Sequence, residues 1–294
     1  MTKVLLDKIE QGDFKAIARA ISLIENEEAG YLNLLESLHP KNIPVIGITG
    51  APGTGKSTLT DSLIENFVSQ GKRVAVICID PSSPFNNGAL LGDRIRMSQW
   101  YNNPAVYIRS LASRGNLGGL HAKSIEITDI LKSALFDIVI IETVGVGQNE
   151  VEIAGLADVT LVVLVPSSGD EIQNMKAGLI EIADIFVLNK ADLPGADQFV
   201  YHLKTVLVAS NRTNTILKTV AVNKEGIDKL AMQVQLFLQT PKTNSQKVWL
   251  LAEKLYQLIS AAKMKNIHKQ ELYKTIEEKL AEGNINLYQI AARY

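Results

Sequence analysis

The chain predicts an α/β fold in which a mostly parallel central sheet is covered by helices on both faces. Three observations carry that reading. Short, almost uninterrupted apolar runs alternate with helical stretches from residue 44 to about 240, as strands buried on both faces require. One glycine-rich loop sits between the first apolar run and a helix. The composition of the 294 residues, 46% hydrophobic and 21% charged, supplies ample material for a buried core.

Before the alternation begins, residues 1 to about 40 read as helical. Phe14, Ile17, Ala18, Ile21 and Ile24 recur at helical spacing with Asp13 placed to cap. A second stretch, residues 30–38, carries Leu32, Leu35 and Leu38, and His39-Pro40 through Pro44 punctuates the chain. Strands are expected at Val45–Thr49, Val74–Ile79, Ala105–Ile108, Ile138–Ile141, Thr160–Val165, Ile185–Leu188 and Ile216–Val222. Helices are expected over 57–70, 123–135, 173–183 and 199–209. After residue 240 the composition changes: Val248, Leu251, Leu255, Leu258 and Ala262 form an a/d-like seam, and Asn266 breaks into a helix with Leu272, Ile276 and Leu280. The expected organisation is an N-terminal helical extension (1–42), a nucleotide-binding domain (43–240) and a helical hairpin (241–294). That hairpin either packs on its own chain or serves self-association.

A net charge of −1 gives no global attraction to nucleic acid or acidic membranes, so neither is expected as a partner. The single cysteine, Cys78, rules out an internal disulfide framework and lies in an apolar run where a buried thiol is expected. The sequence shows no run apolar and long enough to span a bilayer and no signal-peptide core at its start, so a cytoplasmic location is expected.

Residues Gly50-Ala51-Pro52-Gly53-Thr54-Gly55-Lys56-Ser57 satisfy G-x-x-x-x-G-K-[ST], followed by Thr58 in the new helix. Glycines let the backbone turn tightly and bring N–H groups to phosphate oxygens, and the helix adds its positive end. Lys56 is expected to reach the β- and γ-phosphates and the Ser57 hydroxyl to ligate magnesium. Asn189-Lys190-Ala191-Asp192 follows a later strand. A carboxylate at Asp192 can accept from both N1–H and the exocyclic amine of guanine, which adenine does not offer. Asn189 can tie this loop to the phosphate loop, and the Lys190 stem can lie over the base. Together these make a guanine-nucleotide site, for GTP and GDP.

Two carboxylates end strands on the same edge of the sheet: Asp80 and Glu142. Each is a candidate to hold Mg²⁺ directly or through water, Asp80 with the alternative of capping a turn. Gly145 leaves a backbone N–H to meet a γ-phosphate, making the segment after it a candidate nucleotide sensor. Three further stretches, 92–97, 113–119 and 166–171 with Lys176 beyond, are surface loops by residue type, and their position beyond the active edge points to function.

The motifs together resemble the GTPases associated with methylmalonyl-CoA mutase, called MeaB in bacteria and once described as ArgK transport kinases. The residues that carry the resemblance are 16–25, the phosphate loop, Asp80-Pro-Ser-Ser83, 91–97, 113–119, Glu142-Thr-Val-Gly-Val-Gly-Gln148, Gly169-Asp-Glu171 and Asn189–Asp192. The resemblance implies a P-loop GTPase of the signal-recognition-particle and MinD-like class, with an N-terminal helical extension and a C-terminal dimerisation arm making a homodimer. It implies a chaperone of an adenosylcobalamin-dependent acyl-CoA mutase, slow alone and stimulated by that partner, which gates cofactor loading and protects or reactivates the mutase. By the same resemblance, Asp80, Asp93 and Glu142 serve magnesium and switching, and Asp170 and Lys176 form a switch that links nucleotide to mutase. Of the usual Ser-Ala base-contacting pair only Ala221 matches; backbone N–H groups at Ala221 and Val222 are expected to meet the base oxygen.

Two rival readings share the phosphate loop. A P-loop kinase of a transport system fits the magnesium carboxylates but not Asn189–Asp192, which selects guanine over the usual ATP donor. A nickel- or cobalt-insertion GTPase calls for Cys and His clusters, whereas His39, His121, His202 and His268 are scattered.

Overall fold

The computed structural model describes residues 2–80, 97–112, 120–144, 151–166, 177–240, 245–264, 267–281 and 285–291. The chain divides into two compact units, 1–247 and 248–294.

The first unit opens with three helices, α1 (Thr2–Glu10), α2 (Phe14–Glu25) and α3 (Tyr31–Glu36). Asp13 caps α2, its carboxylate accepting from the Ala16 N–H at 2.8 Å. The apolar stripe of α2 puts Ile17, Ile21 and Ile24 at zero exposure, worth roughly 1.5–3 kcal/mol each relative to an exposed side chain.

Strands and helices then alternate: β1 (Val45–Thr49), α4 (Lys56–Ser69), β2 (Val74–Asp80), β3 (Val106–Ala112), α5 (Ser124–Ser133), β4 (Ile138–Glu142) and α6 (Val151–Leu156). They continue as β5 (Val159–Leu164), α7 (Ala177–Ile182), β6 (Ile185–Leu188), α8 (Ala196–Ala209), β7 (Thr215–Lys218) and α9 (Ile227–Gln239). The seven described strands form one sheet in the order β3-β2-β4-β1-β5-β6-β7, and the pairings between these strands are all parallel. Because β1 is central, between β4 and β5, the loop after it opens where several other strand ends converge. Helix α4 packs its Leu59, Leu63, Ile64 and Phe67 into the core with β-strand residues such as Ile46, Val76 and Ile140.

Two strand expectations change. The third strand was expected over Ala105–Ile108 but runs to Ala112, paired with β2 as far as Asp80. Arg109 and Ser110 break the apolar run, yet Arg109 is accommodated by the N-terminal helices: its Nη2 donates to Glu25 Oε2 at 2.6 Å and Ser22 Oγ at 3.2 Å. The last strand was expected over Ile216–Val222 but ends at Lys218. Thr219 Oγ1 and the Ala221 N–H both donate to Asn189 Oδ1 at 3.1 Å, which draws the chain out of the ladder and into a 3₁₀ turn at Ala221–Asn223.

At the opposite, amino edge of the sheet, Asp158 Oδ2 accepts the Val45 N–H at 2.8 Å and Lys247 pairs with Asp158 at 2.6 Å. Nearby on α5, burial pushes the Asp129 carboxyl up to about 6, opposed by Lys132 and Lys247 and assisted by Glu126. A raised folded-state pKa means the folded protein holds this proton more tightly than the unfolded chain. Stability should therefore fall as pH rises from about 4 to about 6, with the full penalty present above that. Asp129→Asn is expected to flatten this segment of the profile and to stabilise the protein at pH 7 by roughly 1–3 kcal/mol, read by urea unfolding. Equal stabilities at pH 7 would show that Asp129 is not ionised at a cost.

In the second unit lie most of α10 (Ser245–Lys263), α11 (Lys269–Ala281) and the short α12 (Leu287–Ala291). The expected seam is apolar and exposed: Val248 is 64%, Leu255 58% and Leu258 45% accessible. No described helix is long and apolar enough to cross a membrane.

Candidate functional site

Residues 50–55 leave the carboxyl end of β1 and wrap into the first turn of α4. At Gly55 the backbone has φ +87°, and a Cβ there would stand 2.5 Å from Asn189 Nδ2. Only glycine supplies both the left-handed conformation and the close approach. Lys56 is 7% exposed and its Nζ donates to the carbonyls of Gly50 (2.9 Å) and Ala51 (3.2 Å), inside the loop's own curve. The Thr54 hydroxyl closes the loop on Ala51 O at 2.9 Å.

A cleft of about 450 Å³ opens here, lined by Lys56, Ser57 and Thr58 from the loop and helix, by Asp80 and Glu142 from the strand ends, and by Lys190. Asp80 and Glu142 are 3% and 2% exposed, so both carboxylates sit at the cleft floor instead of in solvent. Glu142 is gripped from α4 on both oxygens: Ser57 Oγ donates to Oε1 at 2.8 Å and Thr60 Oγ1 donates to Oε2 at 2.9 Å. Register explains the meeting, since Glu142 lies beside Ile48, two residues before the loop. Thr143, one residue on, donates its hydroxyl to Thr49 Oγ1 at 2.8 Å. Ser57, Asp80 and Glu142 thus bring a hydroxyl and two carboxylates to one cleft, a hard-oxygen donor set that suits Mg²⁺.

Asn189 is 2% exposed and acts as the tie between loops. Its Nδ2 donates to Thr54 O at 2.9 Å while its Oδ1 accepts from Thr219 and Ala221. Lys190 takes the left-handed conformation (φ 54°), and its Nζ donates to Gly53 O at 2.9 Å, laying the stem across the phosphate loop. The Ala191 N–H donates to Thr219 O at 3.1 Å, so the Asp192 segment and the 219–223 turn stand side by side. Of the two N–H donors expected for the base oxygen, that of Ala221 is spent on Asn189; Val222 follows it on a residue 78% exposed.

Asp93, Gly145, Asp170 and Lys176, with the stretches 113–119 and 166–171 apart from Pro166, lie outside the described residues, as do 92–96. Cys78 is buried on β2 as expected. Thr60, Thr49 and Thr143 were missed. A hydroxyl one helical turn after Ser57 was the available signal for Thr60, because residues three apart share a helix face.

Residues 17–279 match the family model described as methylmalonyl Co-A mutase-associated GTPase MeaB. The chain belongs to the MeaB family. A Pyrococcus abyssi protein whose name provisionally calls it a GTPase is 38% identical to this MeaB-family chain over 307 residues, 99% of this chain and 95% of its own. The Escherichia coli protein named GTPase ArgK is 38% identical over 191 residues, 63% of this chain and 58% of its own. A Geobacillus kaustophilus protein named fused isobutyryl-CoA mutase is 38% identical over 205 residues, 65% of this chain but 19% of its own. Among solved structures, a LAO/AO transport system kinase superposes with a TM-score of 0.65 at 24% identity, over 99% of this chain and 95% of its own. HypB from Helicobacter pylori, in complex with nickel, gives a TM-score of 0.51 at 17% identity over 76% of this chain and 99% of its own. At these identities the two structures establish the P-loop GTPase fold alone.

Proposed function

We propose that this MeaB-family GTPase hydrolyses GTP as a molecular switch and acts as chaperone to an adenosylcobalamin-dependent acyl-CoA mutase, gating cofactor loading and protecting or reactivating the mutase. The observation that carries the mutase reading is the fused relative, in which a segment 38% identical to this chain shares one polypeptide with a protein named for a mutase. The family description points the same way.

The chemistry is an in-line attack of water on the γ-phosphorus, forming one P–O bond as the bond to the bridging oxygen of GDP breaks. Gly50 to Thr58 hold the phosphate chain through backbone N–H groups, and Lys56 exchanges its two loop carbonyls for phosphate oxygens. Ser57, Asp80 and Glu142, with Asp93, would hold Mg²⁺, which when bound neutralises charge on the β- and γ-phosphates. Asn189 and Lys190 frame the base, Asp192 reads its N1–H and amine, and the Val222 N–H, in the turn that Asn189 holds at Ala221, reads its oxygen. Gly145 senses the γ-phosphate, and Asp170 and Lys176 pass the state to the mutase. The helical arm 241–294, with its exposed seam, serves homodimerisation, and the protein works in the cytoplasm.

Coupling between nucleotide and mutase is reciprocal in free energy. Calorimetry with GDP and a non-hydrolysable GTP analogue, with and without saturating mutase, should show nucleotide affinities that change by the same factor as mutase affinity. Identical nucleotide affinities with and without mutase would refute the switch.

A further inference from the structure

Helix α4 also reaches a part of the chain beyond the cleft. Ser62, on the turn after Thr58, is 6% exposed, and its hydroxyl lies 3.0 Å from the carbonyl oxygen of Ala221, 159 residues away. The same hydroxyl lies 3.0 Å from Thr58 O one helical turn back, so one proton is shared between a helix carbonyl and the base-side turn. The Ala221 carbonyl also accepts from the Lys224 N–H at 3.2 Å, but Lys224 belongs to the same turn and moves with it. Ser62 is a contact from α4, the helix that follows the phosphate loop.

The Ala221 carbonyl and the Val222 N–H belong to one planar trans peptide and point in opposite directions. Fixing the carbonyl therefore aims the N–H. On the preceding peptide, Asn189 Oδ1 holds the Ala221 N–H at 3.1 Å. The two peptides flanking Ala221 are thus pinned from two sides, one by the guanine loop and one by the phosphate-loop helix.

We infer that Ser62 is a specificity-determining positioning residue: it orients the Val222 N–H toward the 6-oxo group of the purine. The inference rests on the guanine reading of the site. Adenine carries an amine at position 6, which donates and so repels an N–H aimed at it. A chain that sets this N–H from α4 couples base discrimination to the helix that begins at the phosphates.

The test compares wild type, Ser62→Ala and Ser62→Cys in the full chain with four diphosphates. GDP and IDP keep the 6-oxo group, whereas 2-aminopurine riboside diphosphate lacks it and reports binding through its own fluorescence. ADP tests the guanine reading: wild-type affinity for ADP equal to that for GDP refutes that reading whatever Ser62 does. Ser62→Ala should weaken GDP and IDP by the same factor, about fivefold, as expected for one hydrogen bond, and leave the 2-aminopurine ligand unchanged. Ser62→Cys keeps the volume but donates weakly, and should follow the same pattern, separating the lost bond from a packing defect. Unchanged GDP affinity in both variants overturns the inference. So does an equal loss for all three purines, which would make Ser62 a support of the fold without a say in the base.

Discussion

Replacing Glu142 with alanine is expected to lower GTP turnover by about 100-fold at saturating GTP and Mg²⁺, while GDP affinity without Mg²⁺ changes by less than about threefold. The carboxylate ends β4, is 2% exposed, and takes hydrogen bonds from Ser57 and Thr60. Alanine removes the negative charge from the cleft floor and deletes the bond from the Ser57 hydroxyl, so two of the oxygen donors proposed for Mg²⁺ are perturbed together. Under the proposed function, nucleotide binding without Mg²⁺ rests on Lys56, the loop N–H groups and the base contacts, whereas the Glu142 carboxylate is bonded by the Ser57 and Thr60 hydroxyls. Thr60→Val keeps the charge and deletes only the bond to Oε2. It should cost a smaller part of the turnover, about 3- to 10-fold, with a raised Mg²⁺ requirement, and Thr60→Ser should restore both. Single-turnover hydrolysis across a Mg²⁺ titration measures all three variants. Near-normal turnover in Glu142→Ala would remove that carboxylate from the mechanism.

Asp192→Asn should weaken GDP by about 100-fold and make xanthosine diphosphate the better ligand. A carboxylate accepts from N1–H and the exocyclic amine at once, and bonds to a charged acceptor are worth roughly 1.5–3 kcal/mol each. The amide offers a donor in place of one acceptor, which mismatches the guanine amine and matches the 2-oxo group of xanthine. The backbone that presents this side chain is well held: the Leu193 N–H donates to Lys190 O at 3.0 Å and the Ala191 N–H to Thr219 O at 3.1 Å. The change should therefore alter chemistry without moving the loop. Calorimetry of both diphosphates on both proteins decides it, and a variant that still prefers GDP would remove Asp192 from base recognition.

The phosphate loop was legible in sequence because its requirements are local. Positive φ at Gly50, Gly53 and Gly55, a lysine and hydroxyl at the helix start and an apolar strand before it all lie within about a dozen positions. Asn189–Asp192 was legible for the same reason, as a compact pattern after a strand. The ends of elements were harder. At Arg109 a charged residue signalled the end of a strand, yet the ladder continued because Glu25, 84 residues earlier, neutralises it. Beyond Thr219 the apolar Val220-Ala221-Val222 signalled continuation, yet Asn189, 30 residues before Thr219, captured the Thr219 hydroxyl.

The residue types proposed to bind a phosphate chain and choose a purine are thus written in short stretches, since backbone conformation and side-chain chemistry there depend on near neighbours. What those stretches are held by is not. Thr60 and Ser62 read as ordinary polar positions on a helix, and their partners Glu142 and Ala221 lie 82 and 159 residues away. A hydroxyl within reach of many carbonyls in an unfolded chain acquires one long-range partner only when strand order sets β4 beside β1 and the turn after β7 against α4. Folding brings the Glu142 carboxylate and the Ala221 peptide, far apart in the chain, under hydrogen bonds from the same helix.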